Sequence, residues 1–218
     1  TTLSSLYCDI VKDRLYASAP ASRERRSAQT AMHRIARSLA TLAAPVLPFT
    51  AEEVWSALPK PKEESVHLAR FETLDDAARD SSSAPAWERL TKLREEVAAV
   101  LEEARRDKVI GSSLEGAVAL TPHEDLERDR EATGTQGPGL ADLFIVSRVS
   151  REAAGAAVDG WRGSSAYPGL SLRFEKAPGR RCDRCWKVTP EADATGLCDR
   201  CRRVLKDLEP GAPLGTPA

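Results

Sequence analysis

Four of the five cysteines lie close together, as two Cys-x-x-Cys pairs. The first pair is Cys182 and Cys185, the second is Cys198 and Cys201, and twelve residues separate the pairs. A tight turn aims both sulfurs of such a pair at one ion, so two pairs complete a tetrahedral shell of four thiolates. This spacing is typical of a structural zinc site. Because four protein ligands leave no position for water, we expect one zinc ion that organises the segment and does not catalyse.

Other chemistries of the same cysteines stay open. Two disulfides are possible, but there is only one further cysteine, Cys8, and no secretory signal, which favours a reducing compartment. A redox-active site would need only one Cys-x-x-Cys pair, with a strand and a helix around it. Four thiolates could also hold iron. We therefore expect a cytoplasmic protein in which these cysteines bind metal, with zinc favoured.

Positive charge surrounds the cysteines. Residues 180–206 contain eight basic and four acidic side chains, and Trp186 directly follows the first pair. A basic surface with one aromatic residue suits phosphate contacts together with stacking on a base or ribose. The alternative is that Trp186 packs over the metal-binding turn and that the arginines are simply solvated.

A second set of candidate residues lies on the clearest predicted helix, residues 22–43. Its apolar residues fall within an arc of roughly 80° and predict a face that enters a helical bundle. These residues are Ala28, Met32, Ile35, Leu39, Leu42 and, just beyond, Val46. The opposite arc is basic, without a carboxylate after Glu24, and is formed by Arg23, Arg26, Arg34 and Arg37. Such a stripe is either a solvated face or a nucleic-acid contact.

The remaining elements position these two sets. Hydrophobic periodicity predicts further helices at 2–17, 50–58, 86–107 and, short and exposed, 123–131. The third of these has its apolar side from Trp87 to Ala104, and Thr50 with Glu53 is a candidate capping box for the second. Strands are predicted at 117–120, 143–146 and 170–174.

These elements predict a mainly α fold: a helical-bundle domain followed by a small α+β domain with a four-cysteine zinc finger. The expected divisions are a helical domain at 1–72, an acidic and Ser-rich linker at 73–86, an α+β domain at 87–178, the zinc finger at 179–206 and a disordered tail at 207–218. Because the chain begins without methionine and enters a helix at once, we expect a piece of a longer protein.

The bulk composition limits the function classes. The 218 residues carry a net charge of −1, so any nucleic-acid site must come from local patches. No apolar run approaches the roughly 18–20 residues that cross a bilayer, and we expect no membrane contact. Neither a Gly-rich phosphate loop nor a Gly-x-Ser-x-Gly motif is present, and the three histidines are isolated. The sequence therefore favours a recognition module without catalytic residues.

Several segments together resemble bacterial isoleucyl-tRNA synthetase, a class I aminoacyl-tRNA synthetase. Residues 9–16, 25–30, 42–55 and 64–68 resemble its anticodon-binding domain. Residues 110–115 resemble the junction domain that follows, and the two Cys-x-x-Cys pairs with Trp186 resemble its terminal zinc finger. The 42–55 segment is also similar to valyl- and leucyl-type enzymes, whereas the zinc finger points to the isoleucine type.

The resemblance implies that the full-length protein attaches isoleucine to its tRNA using ATP and Mg²⁺. The catalytic and editing domains would lie outside these residues, which contain neither a His-Ile-Gly-His nor a Lys-Met-Ser-Lys-Ser signature. We therefore expect this chain alone to be inactive, monomeric, and specialised in binding the anticodon arm of isoleucine tRNA. The candidate tRNA contacts are Arg23, Arg26, Arg34, Arg37, Arg184, Trp186, Arg200 and Arg202.

Two other functions remain as alternatives. A four-cysteine finger also ends the DNA glycosylases of the formamidopyrimidine type, but those enzymes need an N-terminal catalytic proline, and this chain begins with threonine. The second alternative is a protein-interaction module, in which zinc holds a docking surface and the arginines meet an acidic partner.

Overall fold

The computed structural model describes residues 3–59, 63–72, 82–134, 139–153 and 160–208. These residues form two compact units: residues 20–72 make one, and residues 3–19 together with 82–208 make the other. The compact units therefore differ from the expected domains at residues 3–19, which belong with the cysteine segment. The expected linker and tail lie mostly outside the described residues, although residues 84–86 already belong to a helix.

The unit of residues 20–72 contains two helices, as the sequence predicts. Helix α3 spans Arg23–Ala43, and Ser22 caps it by accepting a hydrogen bond from the backbone N–H of Arg25. Helix α4 spans Pro48–Ala57. The predicted capping box is wrong, because α4 starts with Pro48 in its first turn, two residues before Thr50. Proline suits that position because the first N–H groups of a helix have no partner within the helix.

A buried tryptophan centres the core of this unit. Trp55 is fully buried among Ala40, Ala44, Ala51 and Val66. Its indole N–H donates to the backbone oxygen of Glu63 at 2.9 Å. The short side chains of α3 and α4 let the two helices approach closely around the ring. A 3₁₀ turn at Val66–Leu68 closes the core.

Much of the predicted apolar face of α3 is exposed. Leu42 and Val46 expose 63% and 79% of their surface, and the neighbouring Phe49 exposes 87%. The hydrophobic periodicity located the helix correctly. Only the α3 residues that α4 covers are buried, and in this region they are alanines. An exposed apolar patch of this kind usually marks a contact surface.

The other unit is built on one long helix and a four-stranded sheet. Residues Leu3–Tyr7 form a π-helical turn that leads into helices α1 (Cys8–Ile10) and α2 (Lys12–Ala17). Helix α5 spans Ala84–Arg106, and a 3₁₀ turn at Ser113–Glu115 leads into strand β1. The elements that follow are β1 (Gly116–Leu120), α6 (Glu124–Ala132), α7 (Gly139–Phe144), β2 (Arg148–Arg151), β3 (Arg162–Gly163) and β4 (Ser171–Lys176).

The sheet order is β2-β1-β4-β3. β1 lies parallel to β2 and antiparallel to β4, with Ala119 opposite both Ser150 and Arg173. Apolar residues of α5, including Leu90 and Leu93, pack against the sheet in one continuous core. The strands predicted at 117–120 and 170–174 are confirmed as β1 and β4.

The strand predicted at 143–146 is wrong. Residues 139–144 form α7, and the strand begins later, at Arg148. Leu143, Phe144 and Val146 are all buried. A short, fully apolar run is compatible with either a buried strand or a buried helical turn, so its composition alone cannot separate the two.

Helix α6 was predicted to be exposed, yet it buries a carboxylate. Asp129 accepts two hydrogen bonds from Arg89, at 2.5 and 2.7 Å, and one from the Tyr167 hydroxyl at 2.7 Å. Burial opposes ionisation, but these donors hold the pKa of Asp129 below its usual value. The network ties α5, α6 and the segment before β4 together. No helix in the described part of the chain combines the length and apolar content that a bilayer crossing needs.

Candidate metal centre and nucleic-acid interface

The four predicted cysteines come together at the end of a small hairpin, called the knuckle here (residues 180–206). Strands β5 (Arg180–Arg181) and β6 (Val188–Thr189) form the hairpin, and helix α8 (Asp199–Lys206) follows it. The first pair lies in the turn between β5 and β6. In the second pair, Cys198 is the N-cap of α8 and Cys201 lies in its first turn.

The cysteine geometry fits a tetrahedral metal ion. All four Sγ atoms lie within 4.8 Å of one another, and those of Cys185 and Cys198 are 3.8 Å apart. Two sulfurs at about 2.3 Å from one tetrahedral ion are themselves about 3.8 Å apart. Cys182 and Cys201 are fully buried, so an ion at the centre of the cluster would be shielded from water.

The electrostatics of the cluster favour a cation. Burial opposes ionisation of Cys182, but nearby backbone N–H groups lower its pKa to about 6. Burial and the negative charge of Cys201 and Cys198 raise the pKa of Cys185 to about 12. The Cys182 thiol therefore ionises readily, whereas the negative charges of the neighbouring cysteines oppose ionisation of Cys185. A bound cation removes this repulsion.

Trp186 is placed at the surface of the knuckle by an unusual backbone conformation. Its φ is +63°, in the left-handed region, and its N–H donates to the Cys182 oxygen at 2.8 Å, closing the metal-binding turn. Glycine is the usual residue in this region, because a side chain there costs roughly 1–2 kcal/mol. The residue is nevertheless 64% exposed. The expectation that Trp186 packs over the turn is therefore not met, and the indole is available for contact.

Two of the predicted RNA-binding arginines instead fasten the knuckle to α2. Arg184 donates to the backbone oxygens of Ala17 and Tyr16, at 2.5 and 3.3 Å. Arg200 binds Asp13 through two hydrogen bonds of 2.6 and 2.7 Å. Burial opposes the ionisation of Asp13, yet Arg200 holds its pKa below the usual value. Since these guanidinium groups are occupied by internal partners, the structure gives them a positioning role.

Lys187 makes a third fastening of the same kind. Its ammonium donates to Asp142 of α7 at 2.6 Å and lies 3.9 Å from Asp13. Arg202 is paired differently, with Asp193 at 2.6 Å and Asp199 at 3.3 Å. The Arg202 pairs are half exposed and contribute only about 0–1 kcal/mol. Arg202 can therefore exchange its partners for a phosphate.

The predicted basic stripe on α3 is only partly unpaired. Arg34 lies 3.3 Å from Glu72. Arg37 lies 3.0 Å from Glu63 and 5.0 Å from the centre of the Trp55 ring. These carboxylates are distant in sequence, so the helix pattern did not reveal them. Arg23 and Arg26 are exposed and form no ion pair with any residue that the structure describes.

Sequence reasoning missed one aromatic residue. Tyr16 of α2 is 74% exposed, and its backbone oxygen accepts a hydrogen bond from Arg184 of the knuckle. The available signal was its position, because Tyr16 falls on the polar side of the predicted helix, four residues after Lys12. The exposed cations Arg180, Arg181, Arg203 and Lys206 complete the knuckle surface.

Comparison with known proteins shows the family of this chain. A family model described as the anticodon-binding domain of tRNA ligase matches residues 1–120, more than half of the chain. The chain belongs to this family. The match includes α3, α4 and α5 and ends with β1, so the anticodon-binding family covers parts of both compact units.

Relatives extend the family match through the knuckle. The isoleucine–tRNA ligase of Syntrophotalea carbinolica is 42% identical over 214 residues, which cover 94% of this chain and 22% of the relative. The isoleucine–tRNA ligase of Symbiobacterium thermophilum is 42% identical over 212 residues, or 94% of this chain and 23% of the relative. That of Thermotoga maritima is 40% identical over 217 residues, with shares of 94% and 22%. The chain thus spans about a fifth of the length of these relatives.

Proposed function

We propose that this chain binds the anticodon arm of isoleucine tRNA as part of an isoleucine–tRNA ligase. At full length, that ligase attaches isoleucine to its tRNA using ATP and Mg²⁺, with the catalytic residues outside this chain. The observation that carries the proposal is Trp186, an exposed indole held in a backbone conformation that favours glycine. The choice of isoleucine as the amino acid rests on the name of the relatives, isoleucine–tRNA ligase.

Zinc is the metal proposed for the four cysteines. Four thiolates without an open position hold a structural ion, which stabilises a segment that has little apolar core of its own. In the knuckle, the ion fixes the turn that carries Trp186. The proposed site is therefore a rigid support for one aromatic contact, in a monomeric protein of the reducing cytoplasm.

The phosphate contacts are divided according to the observed pairing. Arg23 and Arg26 are the leading contacts on α3, because they are exposed and form no ion pair among the described residues. Arg34 and Arg202 contribute by exchanging weak surface pairs for phosphates. Arg37 lies over the Trp55 ring, so we assign it mainly to the core of its unit. Arg184 and Arg200 position the knuckle and therefore act on RNA indirectly.

Binding of the 218-residue chain to an isoleucine tRNA transcript tests the proposal. The matched control is the same transcript with its anticodon replaced, at near-physiological salt. A clear preference for the native anticodon is expected. Equal binding of both transcripts would reduce the interaction to general electrostatic attraction and contradict anticodon recognition.

The salt dependence of binding tests the assignment on α3. Each lost phosphate contact lowers the slope of log affinity against log salt by about one unit. The variant Arg23→Gln with Arg26→Gln is therefore expected to lower the slope by about two. Glu24→Gln, which removes a charge of opposite sign in the same turn, is the matched control and should not lower the slope. An unchanged slope in the double arginine variant would remove these residues from the interface.

A further inference from the structure

The two cysteine pairs share one sequence, Cys-Asp-Arg-Cys. Arg184 lies in the first pair, directly before Cys185, and Arg200 lies in the second pair, directly before Cys201. Both arginines therefore belong to the two short segments that bend around the metal position. Coordination of the ion itself requires only the four sulfurs, so the repeated arginine calls for a separate explanation.

Each arginine contacts the second cysteine of the opposite pair. The Nη1 atom of Arg184 donates a hydrogen bond to the Sγ atom of Cys201 across 3.6 Å. The Arg200 guanidinium in turn donates a hydrogen bond to the sulfur of Cys185. Because Cys201 is fully buried, water cannot replace the donor at its sulfur. The contacts thus cross between the pairs and give both second cysteines a cationic partner.

The charge of a loaded site explains why cationic partners are needed. Four thiolates carry twice the charge of one Zn²⁺, so the complex keeps a negative excess that two guanidinium groups balance. Arginine suits this position because its guanidinium keeps its charge and offers several donors in a fixed plane. Hydrogen bonds between charged groups are also about twice as strong as neutral ones.

Cys182, the first cysteine of its pair, is supported by the backbone instead. Its Sγ atom accepts a hydrogen bond from the backbone N–H of Cys198 at 3.4 Å. A backbone donor of this kind is fixed by the fold of the turn. The arginine donors are long side chains, which lose their geometry unless a further partner holds them.

Helix α2 supplies that further partner for both arginines. Asp13 accepts two hydrogen bonds from Arg200, at 2.6 and 2.7 Å, and its side chain is only 17% exposed. The backbone oxygen of Ala17 accepts a hydrogen bond from the same Nη1 atom of Arg184 that donates to Cys201. Carboxylates and backbone oxygens that orient a group bound to a metal ligand are the usual means by which outer-shell partners tune a metal site.

We propose that Arg184 and Arg200 form an outer shell of the zinc site, in which each guanidinium stabilises the charge of one thiolate while α2 holds it in place. Zinc retention by the knuckle then depends on Asp13, which lies 187 positions before Arg200. The inference rests on the proposed zinc site and adds to it two positioning residues for the metal. The competing role is docking alone, in which the arginines fasten the knuckle to α2 without acting on the metal.

The zinc affinity of the full 218-residue chain tests the outer shell. Dissociation constants are measured by competition with a chromophoric chelator. Arg184→Gln and Arg200→Gln each remove one guanidinium and are expected to weaken zinc binding at least about tenfold. Lys187→Gln is the matched control, because Lys187 also fastens the knuckle, through Asp142, while its ammonium contacts no thiolate among the described residues. Since it lies outside the proposed shell, its zinc affinity should stay within about threefold of wild type.

Two further measurements separate action on the metal from docking. With cobalt(II) in place of zinc, loss of a hydrogen bond raises the energy of the sulfur lone pair. The thiolate-to-cobalt charge-transfer band should therefore move to longer wavelength in both arginine variants and stay unchanged in Lys187→Gln. Asp13→Asn, which loosens Arg200 without altering the cluster, should also weaken zinc binding. Asp9→Asn, which removes a carboxylate of α1 that pairs with Lys12, should not.

The outcomes distinguish the proposals. Equal weakening of zinc binding in the two arginine variants and Lys187→Gln, with an unshifted cobalt band, would reduce the arginines to docking contacts and overturn the outer shell. A wild-type chain that binds neither zinc nor cobalt through its cysteines would instead contradict the proposed zinc site. Neither result depends on RNA binding, so anticodon recognition is tested independently. Helix content equal to that of wild type confirms that each variant keeps its fold.

Discussion

Replacing Trp186 by glycine separates folding from binding in a single variant. If the indole serves contact, Trp186→Gly weakens RNA binding and leaves the knuckle about as stable as before. If the indole instead packs structurally, the same change costs several kcal/mol of stability, as is typical when a large core side chain is removed. The two interpretations therefore predict different stabilities for one protein.

For Trp186→Gly, the expected change in stability is small because stabilising and destabilising contributions of similar size oppose each other. Relief of the left-handed conformation contributes roughly 1–2 kcal/mol, and the added freedom of glycine in the unfolded chain removes about 0.4–1 kcal/mol of that. Only about a third of Trp186 is buried, since 64% is exposed. At roughly 25 cal/mol per Å², the lost burial costs on the order of 1–2 kcal/mol. The net change is therefore within about 1 kcal/mol of zero.

The loss of binding is larger. A base that stacks on an aromatic residue contributes about 1–3 kcal/mol, so affinity for the anticodon stem–loop should fall at least about fivefold. Urea unfolding of the zinc-loaded chain measures stability, and fluorescence anisotropy of labelled RNA measures affinity. Trp186→Ala is the matched control, because it loses the ring but keeps the strained backbone. It should bind as weakly as Trp186→Gly and be about 1 kcal/mol less stable. A stability loss above about 2 kcal/mol in Trp186→Gly would refute the contact role.

Three further predictions concern the supports of the site. Cys198→Ser should release zinc and reduce the protection of backbone amides against hydrogen exchange in residues 180–206. Because the knuckle then no longer docks on Asp13, protection should also fall in residues 3–19. Amide exchange in α3 should not change, and an equal loss of protection in α3 would contradict the two compact units. Gly179→Ala places a Cβ 2.2 Å from the Thr189 carbonyl carbon at φ +106°, so zinc retention should fall, whereas Gly163→Ala, with open space around it, should retain zinc normally. Asp129→Asn should destabilise the unit of residues 3–19 and 82–208 by about 1–3 kcal/mol in urea, because an amide cannot accept all the hydrogen bonds that Arg89 and Tyr167 donate to the buried carboxylate. The pKa of Asp129 is lowered in the folded state, so its contribution to folding stability is present above the ordinary carboxyl pKa and is lost as pH falls through the folded-state pKa. Wild type should therefore lose more stability than Asp129→Asn on acidification below about pH 4. The variant Asp125→Asn, which changes an exposed carboxylate, should behave like wild type.

The sequence was most informative where the determining interactions are local. The two Cys-x-x-Cys pairs each depend on one turn, and their spacing alone predicted the cluster that the structure forms. The long periodic segments likewise predicted α3 and α5. The short apolar run at residues 143–146 was assigned to a strand because nothing within it separates a buried helical turn from a buried strand.

Long-range pairs explain why the candidate contacts had to be revised. Arg200 and Asp13 are 187 positions apart, and Arg184 reaches Ala17 across 167 positions. No window of sequence contains both partners, so a count of basic residues near the cysteines could not show which of them are already engaged. The stripe on α3 presents the same difficulty, because Arg37 meets Glu63 only after α4 has folded back.

Internal pairing also changes the kind of recognition that the knuckle can perform. Arg184, Lys187 and Arg200 are all occupied in docking the knuckle to α2 and α7. The excess of basic residues in the knuckle therefore overstates its attraction for phosphate groups. Phosphate contacts supply the sequence-independent part of RNA binding. What the docked knuckle presents instead is the mostly exposed aromatic ring of Trp186. Recognition by stacking depends less on salt than phosphate contact does. Removal of Trp186 should therefore lower affinity at every salt concentration without changing the salt slope, whereas removal of Arg23 and Arg26 should change the slope itself.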